Sequence, residues 1–462
     1  MSLKKIVAAA AALLLTFSLF GCFGGQNEEK PEPTPPDTEY KSPNWTEGEF
    51  DLSMLSDTFE VSHTDPLSGL PVYKLTNSAE GITDQNDLSY YENFYYHMNP
   101  FAAQAGKIVM RHYITGWGIR FTLLDLRTGE TVELTGLRSA NAEDVYGDYL
   151  YCSYDPDTSP AHRSTQIVRV ALTEPYEIET LYSLSDGEIA GGVFFTGNIA
   201  VTCDGKKVLC QDTSRKIRVV DVESKTGSVF MTYSDDMQHI QASKTDPDLF
   251  SLINQSAGST TARIVICDLS KGDYASFESD SEYLETSAMF PNNFNLAHPI
   301  WDYNGHILSD CLGNANDETG QYSFVSIDFH LAEDIGYVPA EGVTVSTWET
   351  ARWNIHQTPA GQAYPEWYIG AAGHRQGGSA NYRVFTLFKM GADGAGIVSY
   401  DIGQLFGDAM PDPGQTAWLL PSGDAIIFST GNTLTLGAGT YYSSDLYLMP
   451  LPESARAALR GE

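Results

Sequence analysis

Apolar residues along this chain come in short bursts, each closed by a turn rich in glycine, asparagine or aspartate. Ile108-Val109-Met110, Phe121-Thr122-Leu123-Leu124, Ile217-Arg218-Val219-Val220 and Ile264-Val265-Ile266-Cys267 are examples. Bursts of this length between turn residues read as strands. The stretch Leu296 to Leu308 shows the grammar in one place. An apolar run led by His298 enters Asn304-Gly305 and leaves as Ile307-Leu308. Asn-Gly supplies the positive φ angles of a two-residue hairpin turn, so a tight hairpin is expected there.

A blade-sized unit repeats. The first copy runs from Phe94-Tyr95-Tyr96-His97 through Gly106 to Met110 and on to Phe121–Glu130. Its third strand ends Asp125-Leu126-Arg127-Thr128-Gly129, ahead of a polar outer strand. Weaker third-strand copies are Ile167–Leu172, Ile217–Val222, Arg263–Leu269, Phe324–Phe329, Gly396–Ile402 and Asp445–Pro450. Repeats about 40–60 residues apart predict an all-β fold, a seven-bladed β-propeller. The strand Pro71–Thr76 precedes the first unit and has no partner of its own. It is predicted to close the last blade as its outer strand, removing a free sheet edge.

The first residues read differently. Lys4 and Lys5 precede the apolar run Ile6–Phe20, which is short and flanked like an export signal. Leu19-Phe20-Gly21-Cys22 reads as a lipobox, with Phe20 less usual at its position, which makes residues 1–21 a lipoprotein signal peptide and Cys22 the lipidation site. Residues 22–49 then form the anchor and a proline-rich linker. The expected propeller spans 50–453, and 454–462 a short solvated helix or tail. The chain would sit in the cell envelope, lipid-anchored on the extracytoplasmic face.

The net charge is −33, and −35 once Lys4 and Lys5 are removed with the signal. No basic surface is available for phosphates, so nucleic acid is excluded as a partner. A polyanionic ligand is disfavoured unless positive groups are gathered in one cleft. After Cys22, Cys152, Cys203, Cys210, Cys267 and Cys311 remain, without zinc-ligand spacing. Cys203 and Cys210 could face each other across a hairpin, or all five are buried as small apolar residues.

Candidate chemistry lies in the histidines. His239, His298 and His356 stand in the same phase, at the entry of the innermost strand of three consecutive units, and His97 is close to it in the first. In a propeller such positions meet at the mouth of the central channel, where imidazoles bind a divalent metal or move a proton. The competing reading gives each one a structural bond to a backbone carbonyl. Arg111, Arg263, Arg352 and Arg375 either grip ligand carboxylates or pair with local acids. Trp301, Trp353, Trp367 and Tyr364 either stack on sugar rings or fill the wedges between blades. The loops Asp155-Pro156-Asp157 and Asn314–Glu318 hold acidic residues but fit no EF-hand. There is no nucleophile elbow, phosphate loop or dinucleotide fingerprint.

Between about Asp65 and Pro450 the chain resembles the oligogalacturonate lyase family. The residues that carry the resemblance are Ser68–Thr76, Asn93–Tyr96, Leu123–Gly129, His239-Ile240-Gln241 with Thr245–Leu249, His298-Pro299-Ile300-Trp301, and His356. The resemblance implies a propeller lyase that cleaves pectin fragments by β-elimination, with manganese on the uronate carboxylate. It implies His239 as the catalytic base, His298 as a metal ligand and His356 at a family histidine of unassigned role; His356, Arg263, Arg352 and Trp301 are the candidate substrate-binding residues. The sequence departs from the pattern where the family's last-blade metal motif would stand. Pro411 to Trp418 contains no histidine, and only Asp412 or Gln415 could substitute. Asn254–Gly258 replaces a His-Glu-Gly motif, Pro299-Ile300 replaces Glu-Phe after His298, and Glu92 stands where an arginine is expected. One imidazole with weak oxygen donors would hold manganese poorly. Two expectations stay open: an anchored protein binding oligosaccharides and possibly cleaving them as a polysaccharide lyase, and a non-catalytic envelope propeller serving as a protein-interaction scaffold.

Overall fold

A computed structural model describes residue 45 and residues 49–462, apart from 79–88, 93, 95–97, 115–117, 135–142, 157–162, 234–236, 255–262, 278–294, 313–321, 328, 333–335, 340–343, 349–351, 375–382, 391–396, 406–415 and 437–438. Six four-stranded antiparallel sheets and one five-stranded sheet follow one another along the chain. The four-stranded sheets span residues 89–133, 143–183, 195–232, 237–277, 295–348 and 352–405. A two-stranded hairpin, Phe329–Ala332 with Gly336–Pro339, interrupts the fifth. The seventh sheet, residues 417–450, takes two further strands from the N-terminal side.

Apolar clusters lie between neighbouring sheets. Val109, Phe121 and Leu123 of the first sheet pack on Leu150, Cys152 and Val168 of the second. Phe385 of the sixth meets Phe428 of the seventh with ring centroids 4.7 Å apart. Ile427 and Leu448 of the seventh return to Met110 and Leu124 of the first. The first and seventh sheets are therefore covered on both faces, and middle strands are largely apolar. Ile264, Val265, Ile266 and Cys267 are all fully buried. A run without alternation is what a doubly covered strand requires. The result is an all-β propeller.

The ring is closed by residues far apart in sequence. Pro71–Lys74 pairs with Gly439–Pro450 through Tyr73 opposite Leu448 and Lys74 opposite Tyr447. Buried Asp445 fixes that seam. Its carboxylate accepts Thr76 Oγ1 at 2.9 Å and the Ser78 amide at 2.6 Å, and pairs with Lys74 Nζ at 3.0 Å. Asp65, also buried, ties the same segment to the sixth sheet by accepting the Gln404 amide at 2.7 Å and the Ser68 amide and hydroxyl at 2.6 Å each.

The structure corrects several expectations. The outermost strand of the last sheet is Glu60–Thr64, so Pro71–Lys74 is next to the edge rather than at it. Ile397–Leu405 is the fourth strand of its sheet, and the third is Arg383–Met390. The turn at Asn304-Gly305 spans residues 302–306, because Trp301 pairs with Ile307. Asp302 accepts the amides of Asn304 and His306 at 2.8 Å each, so only Gly305 needs a positive φ. The expected solvated tail is the helix Glu453–Leu459, which buries Ala455 and Leu459 against the last two sheets. Trp45, inside the expected linker, stacks edge-on with Phe50 and Phe101 and donates from its indole to Lys107 O at 3.2 Å. Cys203 is only half-buried, whereas Cys152, Cys210 and Cys267 are buried as expected, and all four are free thiols.

One ion network joins the second and third sheets. Buried Arg218 bonds Asp212 Oδ2 and Glu188 Oε1 at 2.6 Å each and the Tyr182 hydroxyl at 3.0 Å. Glu188 also completes a capping box with Ser185 at the short helix Asp186–Ala190. The Arg218 guanidinium, helped by Ser185, holds the Glu188 carboxyl down to about 2.

Two outcomes are expected. Asp445→Ala should cost about 3 kcal/mol in urea unfolding, because Thr76, Ser78 and Lys74 lose their buried acceptor together. Glu188 has a depressed folded value, so its contribution is present above its ordinary 4.5 and lost as pH falls towards 2. Glu188→Gln should therefore be less stable than the parent near pH 7, with the gap between their unfolding midpoints closing as pH approaches 2. A gap independent of pH would contradict the ion network.

Candidate functional site

The two ends of the ring differ. At one end the turns joining first and second strands are short and touch each other around the circle. Ala103 N donates to Gly147 O at 2.9 Å, and Tyr146 OH donates to Cys203 O at 2.8 Å. Lys207 Nζ meets Asp248 at 2.7 Å, Asn304 Nδ2 donates to Pro365 O at 3.2 Å, and Tyr364 OH donates to Ser422 O at 3.2 Å. Between the seventh and first sheets the N-terminal segment bridges the gap: Leu52 N bonds Asp424 Oδ2 at 3.0 Å while Trp45 holds Lys107 O. This end is sealed. The opposite strand ends are joined by longer stretches of chain, among them residues 155–165, 184–194 and 255–262.

Called open for its longer connections, that opposite end is nearest His239, whereas His298 and His356 stand close to mid-strand. Met237–Ala242, Asn295–Trp301 and Arg352–Pro359 are the innermost strands of the fourth, fifth and sixth sheets. Each carries the same bulge, with three steps on the innermost strand set against two on its partner. The irregularity lies between Gln238 and Gln241, between Ala297 and Ile300, and between Ile355 and Thr358. His239, His298 and His356 are each the residue directly after the last regular pair. A bulge bends its strand and re-aims the side chain it carries. His239 is half-buried with φ +53, a left-handed conformation in which histidine is enriched among L residues. The third sheet bulges at the equivalent place, after Thr196, where the chain has Gly197.

The bulges are tied to one another. Gln241 Nε2, buried two residues beyond His239, donates to Pro299 O at 2.5 Å, directly after His298. Thr358 Oγ1, two beyond His356, donates to Ala417 O of the seventh sheet at 2.6 Å. Gln211 Nε2 reaches Met237 O at 2.8 Å from the third sheet. Neighbouring innermost strands are thus pinned where the histidines stand. Further round, the buried Asp144 carboxylate accepts the amides of Asn99, Val145 and Val201 at 3.0–3.1 Å and joins the first three sheets. Burial pushes its carboxyl upward against those donors. His112, on the second strand of the first sheet, stacks on Tyr91 at 4.1 Å, and burial pushes its imidazole below the ordinary range.

The other site candidates divide. Trp301 is buried, and its indole donates to Ser251 Oγ of the neighbouring sheet at 2.8 Å, so it fills a wedge and touches no channel ligand. Trp367 is buried in the core beside Tyr400, and Tyr364 covers Gly423 at the sealed end. Arg352 begins the innermost strand of the sixth sheet, four residues before His356, at the open end. Arg263 begins the third strand of the fourth sheet at the same end, away from the innermost position. Arg111 Nη2 lies 3.7 Å from Met98 Sδ. Asp155 accepts the Arg163 amide at 2.9 Å, a loop bond. His97, Arg375, Asp157, Asn314–Glu318 and the Pro411–Gln415 stretch lie outside the described residues, as does Cys22.

Sequence reasoning missed Gln241, Thr358 and Asp144. Gln241 stands two residues from a candidate histidine, but its partner is Pro299 of the next sheet, which only the closed ring brings near.

No known family profile and no curated protein matches the chain. Its fold is similar to solved structures. An oligogalacturonate lyase in complex with manganese aligns over 86% of this chain and 97% of its own, at 14% identity and TM-score 0.62. An oligogalacturonate lyase from Vibrio parahaemolyticus aligns over 86% and 98%, at 13% identity and TM-score 0.60. The likeness is one of fold. Manganese itself fits these bulges poorly. Residues 238–241, 297–300 and 355–358 include imidazoles and amides but no carboxylate, and Gln241 is committed to Pro299 O. Hard divalent ions favour oxygen-rich ligation. Among the described residues, no three His, Cys, Asp or Glu come together as a metal-binding group.

Trp301→Ala should act on stability. It should cost about 3–5 kcal/mol in chemical unfolding, with ligand affinity unchanged in the folded fraction. A loss of affinity without a loss of stability would return Trp301 to the site.

Proposed function

We propose that the chain is an extracytoplasmic, lipid-anchored propeller that binds oligosaccharides at its open end. Counted one blade per sheet, it is seven-bladed, with the last blade closed by the N-terminal strands. The observation that carries the reading is the same bulge, with a histidine at the same position, in three successive innermost strands. The similarity in fold to oligogalacturonate lyases supports it. Cys22 supplies the lipid, and the proline-rich residues that follow hold the propeller off the membrane.

In this reading His239 is the proton acceptor. Its left-handed backbone and half-buried position on an innermost strand support this role, since an imidazole takes a proton near neutral pH. His298 and His356 flank it on the ring and bind ligand hydroxyls or carboxylates, and Arg352 at the same end adds a fork for a carboxylate. With a uronate, His239 removes the proton on the carbon beside the carboxylate. The electron pair left on that carbon forms the ring double bond as the glycosidic oxygen departs and gains a proton. The absence of a histidine between Pro411 and Trp418 favours a second reading, a propeller of the same fold that binds without cleaving.

The test is absorbance at about 235 nm, where the unsaturated product absorbs, on the purified full chain with di- and trigalacturonate, with and without manganese. A rise abolished by His239→Ala is the expected mark of the lyase. Binding of trigalacturonate by calorimetry without a rise, lost in His239→Ala, establishes the site as one that binds only. Neither a rise nor binding would remove the uronate from the proposal.

A further inference from the structure

Arg120 pairs with Glu133, Arg169 with Glu179, and Arg218 with Asp212 and Glu188. In a chain with a net charge of −33 a carboxylate partner is easily found. Arg163 has none among the described residues, and no other acceptor there meets its guanidinium. It is exposed, in the connection between the second and third strands of the second sheet, at the open end. Its guanidinium lies over the ring of half-buried Phe194, with the central carbon 5.6 Å from the ring centroid.

The main chain on both sides of this contact is fixed. Buried Asp155 accepts the Arg163 amide at 2.9 Å. Ser164, the next residue, accepts the Phe195 amide at 2.7 Å and so joins the second sheet to the third. Phe194 N donates to Thr213 Oγ1 at 3.1 Å, and Thr213 N donates to Phe194 O at 2.9 Å. Phe194 directly precedes Phe195–Val201, the innermost strand of the third sheet. That strand packs beside Met237–Ala242, and its bulge after Thr196 matches the one after Gln238. Phe194 therefore stands three residues outward of the level of His239, on the adjacent blade, about 10 Å at the rise of a β-strand. A guanidinium stacked on a ring keeps its planar fork of donors uncommitted, and that fork grips a carboxylate through two hydrogen bonds. The ring beneath it offers an apolar edge to the C–H groups of a sugar. A uronate residue carries both partners, a carboxylate and a C–H face.

We propose that Arg163, seated on Phe194, is a carboxylate subsite for a further uronate residue of an oligosaccharide that is held at His239. The proposal rests on the reading of the open end as an oligosaccharide site and adds a preference for chain length to it. A trisaccharide reaches Arg163, and a disaccharide does not. The subsite also supplies the local cation that a polyanionic ligand needs on so acidic a chain.

The experiment is calorimetric titration of the full-length chain in mild detergent with digalacturonate, trigalacturonate and the neutral galactotriose. The variants are Arg163→Ala, Arg163→Lys, Phe194→Leu and His239→Ala, each checked by its thermal melt. The expected result is that the parent binds trigalacturonate about tenfold more tightly than digalacturonate. Arg163→Ala should bring trigalacturonate down to the level of digalacturonate and leave digalacturonate unchanged. Arg163→Lys should restore only part of the loss, because an ammonium lacks the planar fork. Phe194→Leu should weaken trigalacturonate alone. An equal loss for both uronides in Arg163→Ala, or a loss for neither, would overturn the subsite. Galactotriose bound by the parent as tightly as trigalacturonate would overturn the part played by the carboxylate. In each of these cases a loss of digalacturonate binding in His239→Ala leaves the open-end site standing. Binding of neither uronide by the parent would remove the uronate from the open end and this proposal with it.

Discussion

The seam at Asp445 is the contact on which the rest of the ring depends. Seven sheets that each cover their neighbours are stable only if the first and last also meet. That meeting is made by a short strand, Pro71–Lys74, and one buried carboxylate. A buried charge is tolerable only when its hydrogen bonds are complete. Asp445 meets that condition with a hydroxyl, an amide and an ammonium from a single nearby segment. Asp65 repeats the device one sheet away. Once the N-terminal strands are pinned there, the channel has a fixed circumference and the innermost strands have a fixed register.

That register is what makes a site out of histidines widely spaced in sequence. The bulges offset His239, His298 and His356 in the same way, and Gln241 and Thr358 pin each bulged strand to the next. The sealed end carries turn-to-turn contacts and the bridging N-terminal segment, so contacts there serve closure. The other end carries the strand ends of Arg352 and Arg263. On the proposed reading, recognition belongs to one end of the ring and closure to the other.

Much of this was legible in the sequence. The third-strand signature was readable because doubly covered strands are mostly apolar and end in an aspartate-led turn, as at Asp125 and Asp221. The shared phase of the histidines was readable because the same bulge recurs in three successive units. Other features could not be read locally. Gly396–Ile402 looks like a middle strand, yet Val398 is exposed and the buried run Val384–Phe388 holds the middle place. Trp301 looked like a sugar platform because it lies close to His298. Three residues along a bulged strand take it to the wedge, where Ser251 claims its indole. Asn304-Gly305 suggested a two-residue turn, but Asp302 gathers two amides and lengthens it. Asp65 and Asp445 gave no signal, since their partners Gln404 and Thr76 lie at the far end of the chain.

The central claim is that ligand recognition belongs to the open end, at the histidine bulges, and that the sealed end serves closure alone. Hydrogen-exchange mass spectrometry with and without saturating oligosaccharide tests it directly, because exchange resolves protection along the chain. The account predicts slower exchange in peptides covering 237–241, 296–300 and 355–358, with the turns at 102–106, 202–206, 302–306 and 420–424 unchanged. Protection centred on those turns, with the bulges unaffected, would contradict it.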